Sequence, residues 1–148
     1  MRQNLVRIFN SLDYNAKVTS QDKETKVSCG LYSRETKAVV AMASNRFVMG
    51  CQALPNTRPN KYHYIQHAEV NAIYDAARYG YSLNNSIAVV THSPCVKCIR
   101  ALWQVGIDTI YFKHWREETD IINFTLDLRG KLIRLKSGFY KLKILIRK

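Results

Sequence analysis

Long hydrophobic runs are missing from this 148-residue chain: the longest strictly apolar stretch is residues 38–43, against the roughly 20 that a membrane-spanning helix needs. The opening MRQNLVRIFN also lacks the apolar core of a secretory signal. Together these absences argue against a membrane protein and against secretion, so a cytoplasmic location is expected. Proline and glycine are scarce, three and six residues, and no Gly/Pro/Ser linker or internal repeat divides the chain, so one domain over 1–148 is expected. Cysteine is limited to four residues. In a reducing compartment these serve metal binding, catalysis or ordinary burial rather than disulfides. Acids are few as well: 11 against 23 Lys and Arg, a net charge of +12, which draws anionic partners to the surface. Residues 129–148 hold eight basic residues and no acid, and read either as a solvated face or as a surface for nucleic acid or phosphate.

What is present is enough apolar content, 47% of residues, to bury a continuous core. The spacing of Leu5, Ile8, Phe9 and Leu12 predicts a short N-terminal helix, followed by a polar loop over 19–26. VSCGLY (27–32) and KAVVAMAS (37–44), joined by the polar SRET, read as an antiparallel hairpin. Residues 48–64, with Pro55, Pro59 and Gly50, read as an irregular loop. Residues 66–79 carry the helical spacing Ala68, Ala72, Ile73, Ala76 and Ala77, with Gly80 as the stop. IAVVTH (87–92) reads as a buried strand. Ser93 and Pro94 supply a cap and first helical residue for a helix ending at Gly106, and DTIYFK (108–113) is the next strand. That strand-helix-strand unit implies parallel pairing. A helix over about 117–136 and a strand over 139–146 complete a mixed sheet flanked by helices, an α/β fold.

Two stretches carry the chemistry: HAEVNAI from His67, and PCVKC over 94–98, with 24 residues between Glu69 and Pro94. H-x-E…P-C-x-x-C is the signature of zinc-dependent nucleobase deaminases. One imidazole and two thiolates, from His67, Cys95 and Cys98, make a three-ligand zinc site whose fourth position stays open, the arrangement of a catalytic ion rather than a closed structural one. One zinc ion per chain is expected. Each ligand falls at the first turn of a predicted helix, where free N–H groups and the helix dipole favour thiolate. Glu69, two residues from His67, is placed to move protons at the open position without ligating the metal. A structural zinc would require a fourth ligand, and a redox CxxC would require neither His67 nor Glu69.

At these residues the chain resembles the cytidine deaminase superfamily, and within it the deoxycytidylate (dCMP) deaminases, on HAEVNAI (67–73) and THSPCVKC (91–98). The resemblance covers about residues 27–111 and implies a three-layer α/β/α cytidine-deaminase-like fold with a mixed central sheet. It implies hydrolytic deamination of a pyrimidine nucleotide, dCMP to dUMP, with Glu69 as proton shuttle. It also implies substrate contacts at Asn45 (sugar), Ala68 and Ser93 (backbone groups toward the base), Asn71, and Tyr111 (closing the pyrimidine pocket). Asn45 reads equally as a turn residue and Tyr111 as core. Relatives are commonly homo-oligomers that pack their PCxxC-side helices together, where Leu102 and Trp103 serve either that interface or the core. The GYNG-like loop of nucleotide-regulated members is replaced by NRFVMGCQALPN (45–56), which argues against control by deoxynucleoside triphosphates. A second zinc at Cys29, Cys51 and His63 lacks a closely spaced ligand pair. His92 and His114 read as structural or surface residues. Arg58, Lys61, Lys97, Arg100, Lys113 and Arg116 are candidates for the substrate phosphate. The rival reading is a polynucleotide deaminase for transfer RNA or single-stranded DNA, using the basic C-terminal region as a track.

Overall fold

The structure is a computed structural model that describes residues 2–48, 60–116 and 119–145. Leu5, Phe9, Leu12 and Ala16 recur every three to four residues and are all buried, which gives helix α1 (Arg2–Thr19) a continuous apolar stripe. The helix is longer than the predicted one because Ala16 extends the stripe with only a methyl group. Strands β1 (Ser28–Ser33) and β2 (Val39–Ser44) form the expected antiparallel hairpin. Two short strands, β3 (Arg46–Phe47) and β4 (Ile65–Gln66), pair with each other, and a 3₁₀ turn covers Asn60–His63.

Helix α2 (Ala68–Tyr79) ends at Gly80, whose left-handed φ of 74° lets its N–H reach back to Ala76 and Ala77, as a glycine cap requires. Strand β5 (Ser86–His92), helix α3 (Val96–Gln104) and strand β6 (Thr109–His114) make the expected crossover, with β5 and β6 parallel. Then come α4 (Thr119–Asp127), β7 (Lys131–Arg134) and β8 (Tyr140–Lys143). The main sheet has six strands in the order β2-β1-β5-β6-β8-β7.

Alternation along the strands separates two cores. On one face Leu5, Phe9 and Leu12 of α1 pack on Tyr32, Ile87, Val89 and Tyr111. On the other, α2, α3 and α4 bury Ala72, Leu102 and Ile121 against Leu31, Val90 and Phe112. The result is three layers, α/β/α, as expected. Leu102 is core and Trp103 packs against it from the side.

The expected helix over 117–136 is corrected: the helix stops at Asp127 and the chain turns to make β7. Arg129 takes a left-handed φ of 50°, and the Gly130 N–H donates to the Thr125 carbonyl. Here glycine is required by space, since a Cβ would lie 2.6 Å from Thr125 Cγ2 and 2.9 Å from the Thr125 oxygen. Pairing then puts Leu132 opposite Leu142, burial that a continued helix would forgo. The last strand is correspondingly shorter than 139–146. Gly130→Ala is expected to lower stability by about 1–3 kcal/mol, the usual cost of forcing an extra carbon into a packed position. Urea unfolding of the two proteins measures it, and equal midpoints would reject this account of the turn.

Candidate active site

The helix starts place the chemistry. His67 and Cys95, both in extended backbone, are the N-cap residues of α2 and α3, and neither helix end is capped by a side-chain hydrogen bond. Gln66 therefore lies in β4 rather than in the helix. Ser93 and Pro94 likewise precede α3 instead of capping and opening it. The reason is pairing: the Ser93 N–H donates to the His114 carbonyl at 2.8 Å, and Ser93 Oγ accepts the Arg116 N–H at 2.9 Å. These bonds keep the chain extended past β5.

His67 Nδ1 lies 3.4 Å from Cys98 Sγ and 3.6 Å from Cys95 Sγ, and the three donor atoms are all within 4.8 Å of one another. Tetrahedral bonds of about 2.3 Å to sulfur and 2.0 Å to nitrogen subtend roughly 3.5 Å, so the donors fit one zinc ion. Among the described residues no other group of three or more His, Cys, Asp or Glu side chains is placed to hold a metal. Cys29 is fully buried in the core, where burial pushes its thiol well up. His63 is exposed, and Cys51 lies outside the described residues.

Hydrogen bonding from the Cys98 thiol, against the effect of burial, drops the Cys95 thiol to about 4, helped by His67 and the Cys98 N–H. The same bond and its burial push Cys98 up. The Cys95 thiolate in turn raises the His67 imidazole, with burial opposing and Glu69 assisting. Glu69 is only 3% exposed. Burial pushes its carboxyl above the ordinary carboxylate range, although its own amide N–H and His67 pull the other way.

His67, Cys95 and Glu69 face a cavity of about 120 Å³ that Ala68 and Ser93 also line, while Cys98 is buried. Among the described residues neither the Ala68 N–H nor the Ser93 carbonyl makes a hydrogen bond, which leaves both backbone groups open to a ligand. Asn45 lines the wall too, but its amide is filled from within. Oδ1 accepts the Val27 N–H and the Ser20 hydroxyl, while Nδ2 donates to the Thr25 carbonyl and to Asp22. It shapes the wall by fastening the loop after α1.

Asn71 does not line this cavity. Its Nδ2 donates to the Ser44 and Gln66 carbonyls, tying α2 to β2 and β4. Tyr111 is placed away from the site as well: it lies under α1 on the other face of the sheet, because odd-numbered residues of β6 point there.

Sequence reasoning missed Asp22, Thr25, Ile65 and His92 in the wall. Asp22 is buried and ion-paired with the equally buried Lys61 at 2.9 Å. Burial raises its carboxyl, but hydrogen bonds from Thr25, Lys61 and Glu24 outweigh this and hold it below the usual value. An acid in a polar loop gives no sequence signal for such a role. His92, read as structural or surface, is in the wall and is lowered to about 4 by burial and then by the Arg116 and His114 charges. Of the phosphate candidates only Lys61 and Arg116 reach the cavity among the described residues. Lys113 pairs with Asp13 at 2.7 Å, Lys97 and Arg100 are exposed elsewhere, and Arg58 lies outside the described residues.

Residues 5–114 match the family model of the cytidine and deoxycytidylate deaminase zinc-binding region. The chain belongs to that family. A probable deoxycytidylate deaminase of Caenorhabditis elegans is 31% identical over 112 residues, 70% of this chain and 55% of that protein. The deoxycytidylate deaminase of Enterobacteria phage T4 is 46% identical over 46 residues, 31% of this chain and 24% of the phage protein. This deaminase-family chain thus spans about half, or less, of the length of these curated relatives. In fold it is similar to the dCMP deaminase of cyanophage S-TIM5 solved with dCMP and dUMP, with a TM-score of 0.69, 24% identity, and 82% of this chain and 88% of that one covered. Among the described residues no helix is long and apolar enough to cross a membrane.

The purified family member is expected to hold about one zinc per chain and Cys98→Ala to lose it. Elemental analysis checks both, and full zinc retention in the variant would reject the ligand set.

Proposed function

We propose that the protein deaminates dCMP to dUMP by zinc-assisted hydrolysis, acting in the cytoplasm as a homo-oligomer, as its sequence resemblance implies, with residues 1–148 forming one catalytic domain. The observation that carries this reading is the meeting of a buried carboxyl, Glu69, with the His67, Cys95 and Cys98 donor set at one small cavity. The names of two of the matching relatives, both deoxycytidylate deaminases or probable ones, support the choice of dCMP.

When bound, zinc supplies a Lewis acid that lowers the pKa of water at the open position. The chain's own residues do the rest. The Ala68 N–H and the Ser93 carbonyl hold the base, the carbonyl accepting from its exocyclic amine. Glu69 takes the proton of the attacking water as oxygen bonds to C4, and delivers it to N3. The same carboxyl then carries the second water proton to the exocyclic amine. The C4–N bond breaks, ammonia leaves and a uracil ring remains. A buried carboxyl with a raised pKa suits both directions of transfer near neutrality. The Arg116 guanidinium, exposed at the cavity rim, is the cation for the 5′-phosphate. Lys61 is held by Asp22 and by Glu24 at 3.2 Å and serves the wall.

The rival reading, deamination of a polynucleotide, draws on the net charge of +12. Assaying dCMP, dCTP, cytidine and single-stranded oligonucleotides side by side separates the two. The expected result is fast turnover of dCMP and little of the oligonucleotide. Efficient deamination of the polymer with dCMP ignored, and its loss on neutralising Lys141, Lys143, Arg147 and Lys148, would promote the rival.

Glu69→Gln is expected to keep metal and fold while losing at least about 10²–10⁴-fold in kcat; near wild-type turnover would sink the mechanism. Arg116→Gln is expected to raise KM for dCMP about 10–100-fold, the worth of one charge-assisted hydrogen bond, and to leave deoxycytidine unaffected. A parallel loss on both substrates would reject Arg116 as the phosphate contact.

A further inference from the structure

The face of the sheet away from the catalytic cavity holds a second cavity, of about 270 Å³. It lies between α1 and the β1–β2 turn, over the start of β5 at Ile87, whereas the catalytic cavity lies at the end of β5, at His92. Its walls bring Arg7, Arg34 and Lys37 together with no carboxylate among them. Among the described residues neither Arg7 nor Lys37 forms an ion pair. Arg34 is held in place from one side, its Nη2 donating to Asp108 at 2.9 Å and Thr109 at 2.8 Å.

The remaining walls are formed by Ile8, Ile87, Tyr32 and Tyr111, with Asn4 and Ser33 as polar residues among them. Both tyrosines are 7% exposed, yet among the described residues neither hydroxyl makes a hydrogen bond. Among the described residues no fully buried side-chain N or O lacks a partner, so both hydroxyls are open to solvent. Two open hydroxyls in one cationic cavity offer donors to polar ligand atoms. Burial keeps Tyr32 protonated, pushed up to about 12, so it donates at neutral pH.

The backbone is shaped around Tyr32. The β1–β2 register shifts between Leu31 and Tyr32, a bulge of the kind that re-aims a side chain. The ring folds back over Gly30, where a Cβ would come within 2.5 Å of it. Lys37 sits in the turn that follows, with a left-handed φ of 62°.

We propose that this cavity is a second ligand site, for a nucleotide: phosphate oxygens on Arg7, Lys37, Arg34 and the two hydroxyls, and a flat base against the tyrosine rings and isoleucines. The assignment does not depend on the reaction at the catalytic cavity, and its test reads binding alone. Calorimetry on the full chain, with ATP and inorganic pyrophosphate as probes and saturating dUMP, the product of the proposed reaction, present throughout, should show ATP binding that dUMP does not abolish. Pyrophosphate should bind at least tenfold more weakly. Arg7→Gln with Lys37→Gln should weaken ATP at least tenfold, and the conservative Tyr32→Phe about tenfold. Arg116→Gln, at the other cavity, should leave it unchanged. No heat with ATP at millimolar concentration, undiminished binding in the Arg7/Lys37 variant, or loss confined to Arg116→Gln would overturn the site. Equal affinity for pyrophosphate and ATP would overturn the assignment of the apolar walls to a base.

Discussion

A nitrogen from one helix start and two sulfurs from another can share a metal only if α2 and α3 begin at the same edge of the sheet, and most of the fold follows from how that is achieved. Parallel pairing of β5 and β6 carries both strand ends to that edge, and the Ser93–His114 bond prolongs the pairing until Cys95 is in position. On the other side, α2 approaches the sheet through Ala68, Ala72 and Ala76, each at most 1% exposed. Larger residues would hold the helix farther off and move His67 with it. Asn71 then fixes its first turn to β2 and β4. Uncapped helix ends are normally a cost. Here the Cys98 N–H at the start of α3 helps to hold the Cys95 sulfur as thiolate.

The wall opposite the metal donors is built by a different device. The loop after α1 has little apolar content, and it is ordered by polar bonds that converge on two side chains. Asn45 uses both halves of its amide on this loop, and Asp22 accepts from Glu24 and Thr25 while pairing with Lys61. Burying such a pair gains little by itself, but removing one partner leaves a charge in a low-dielectric site and costs about 3–5 kcal/mol. The interaction therefore works as a lock between the segment at 20–25 and the turn at Asn60–His63, and the cavity keeps its shape because neither segment can leave alone.

The metal donors and Glu69 were legible because their spacing is dictated by chemistry: two sulfurs three residues apart on a helix start have few other uses beside an H-x-E. The crossover from β5 to β6 was legible for a similar reason, its punctuation being carried by Gly80, Pro94 and Gly106. The second half of the wall was not. Asp22 and Lys61 are 39 residues apart, and nothing local to either marks the ion pair. Asn45 stood at the expected place, yet its amide serves the loop, a distinction that depends on which groups the fold brings within reach. Tyr111 was misplaced toward the pocket because strand alternation fixes only that neighbours face opposite ways, and which face is which depends on where α1 docks. The β7–β8 hairpin was hidden by the helical reading of 117–136, although Gly130 and the Ser137–Gly138 pair bracket it as turn signals.

The distribution of charge bears on the choice between nucleotide and polymer more than its total does. Three cations of the basic C-terminal region have partners within the chain: Lys143 pairs with Asp108 at 3.0 Å, and Arg134 and Lys141 lie over the rings of Tyr140 and Tyr111, each 5.8 Å or less from the ring centre. Such groups raise the field around the molecule, which speeds the arrival of any anion, but while they hold these partners they are not free donors for a phosphate backbone. The cavity offers a finer selection than the surface does, because one exposed guanidinium, Arg116, stands beside a space of about 120 Å³. That arrangement suits a single phosphate attached to a single ring, as the proposed reaction on a nucleotide requires, and surface charge alone does not distinguish such a ligand from a polymer.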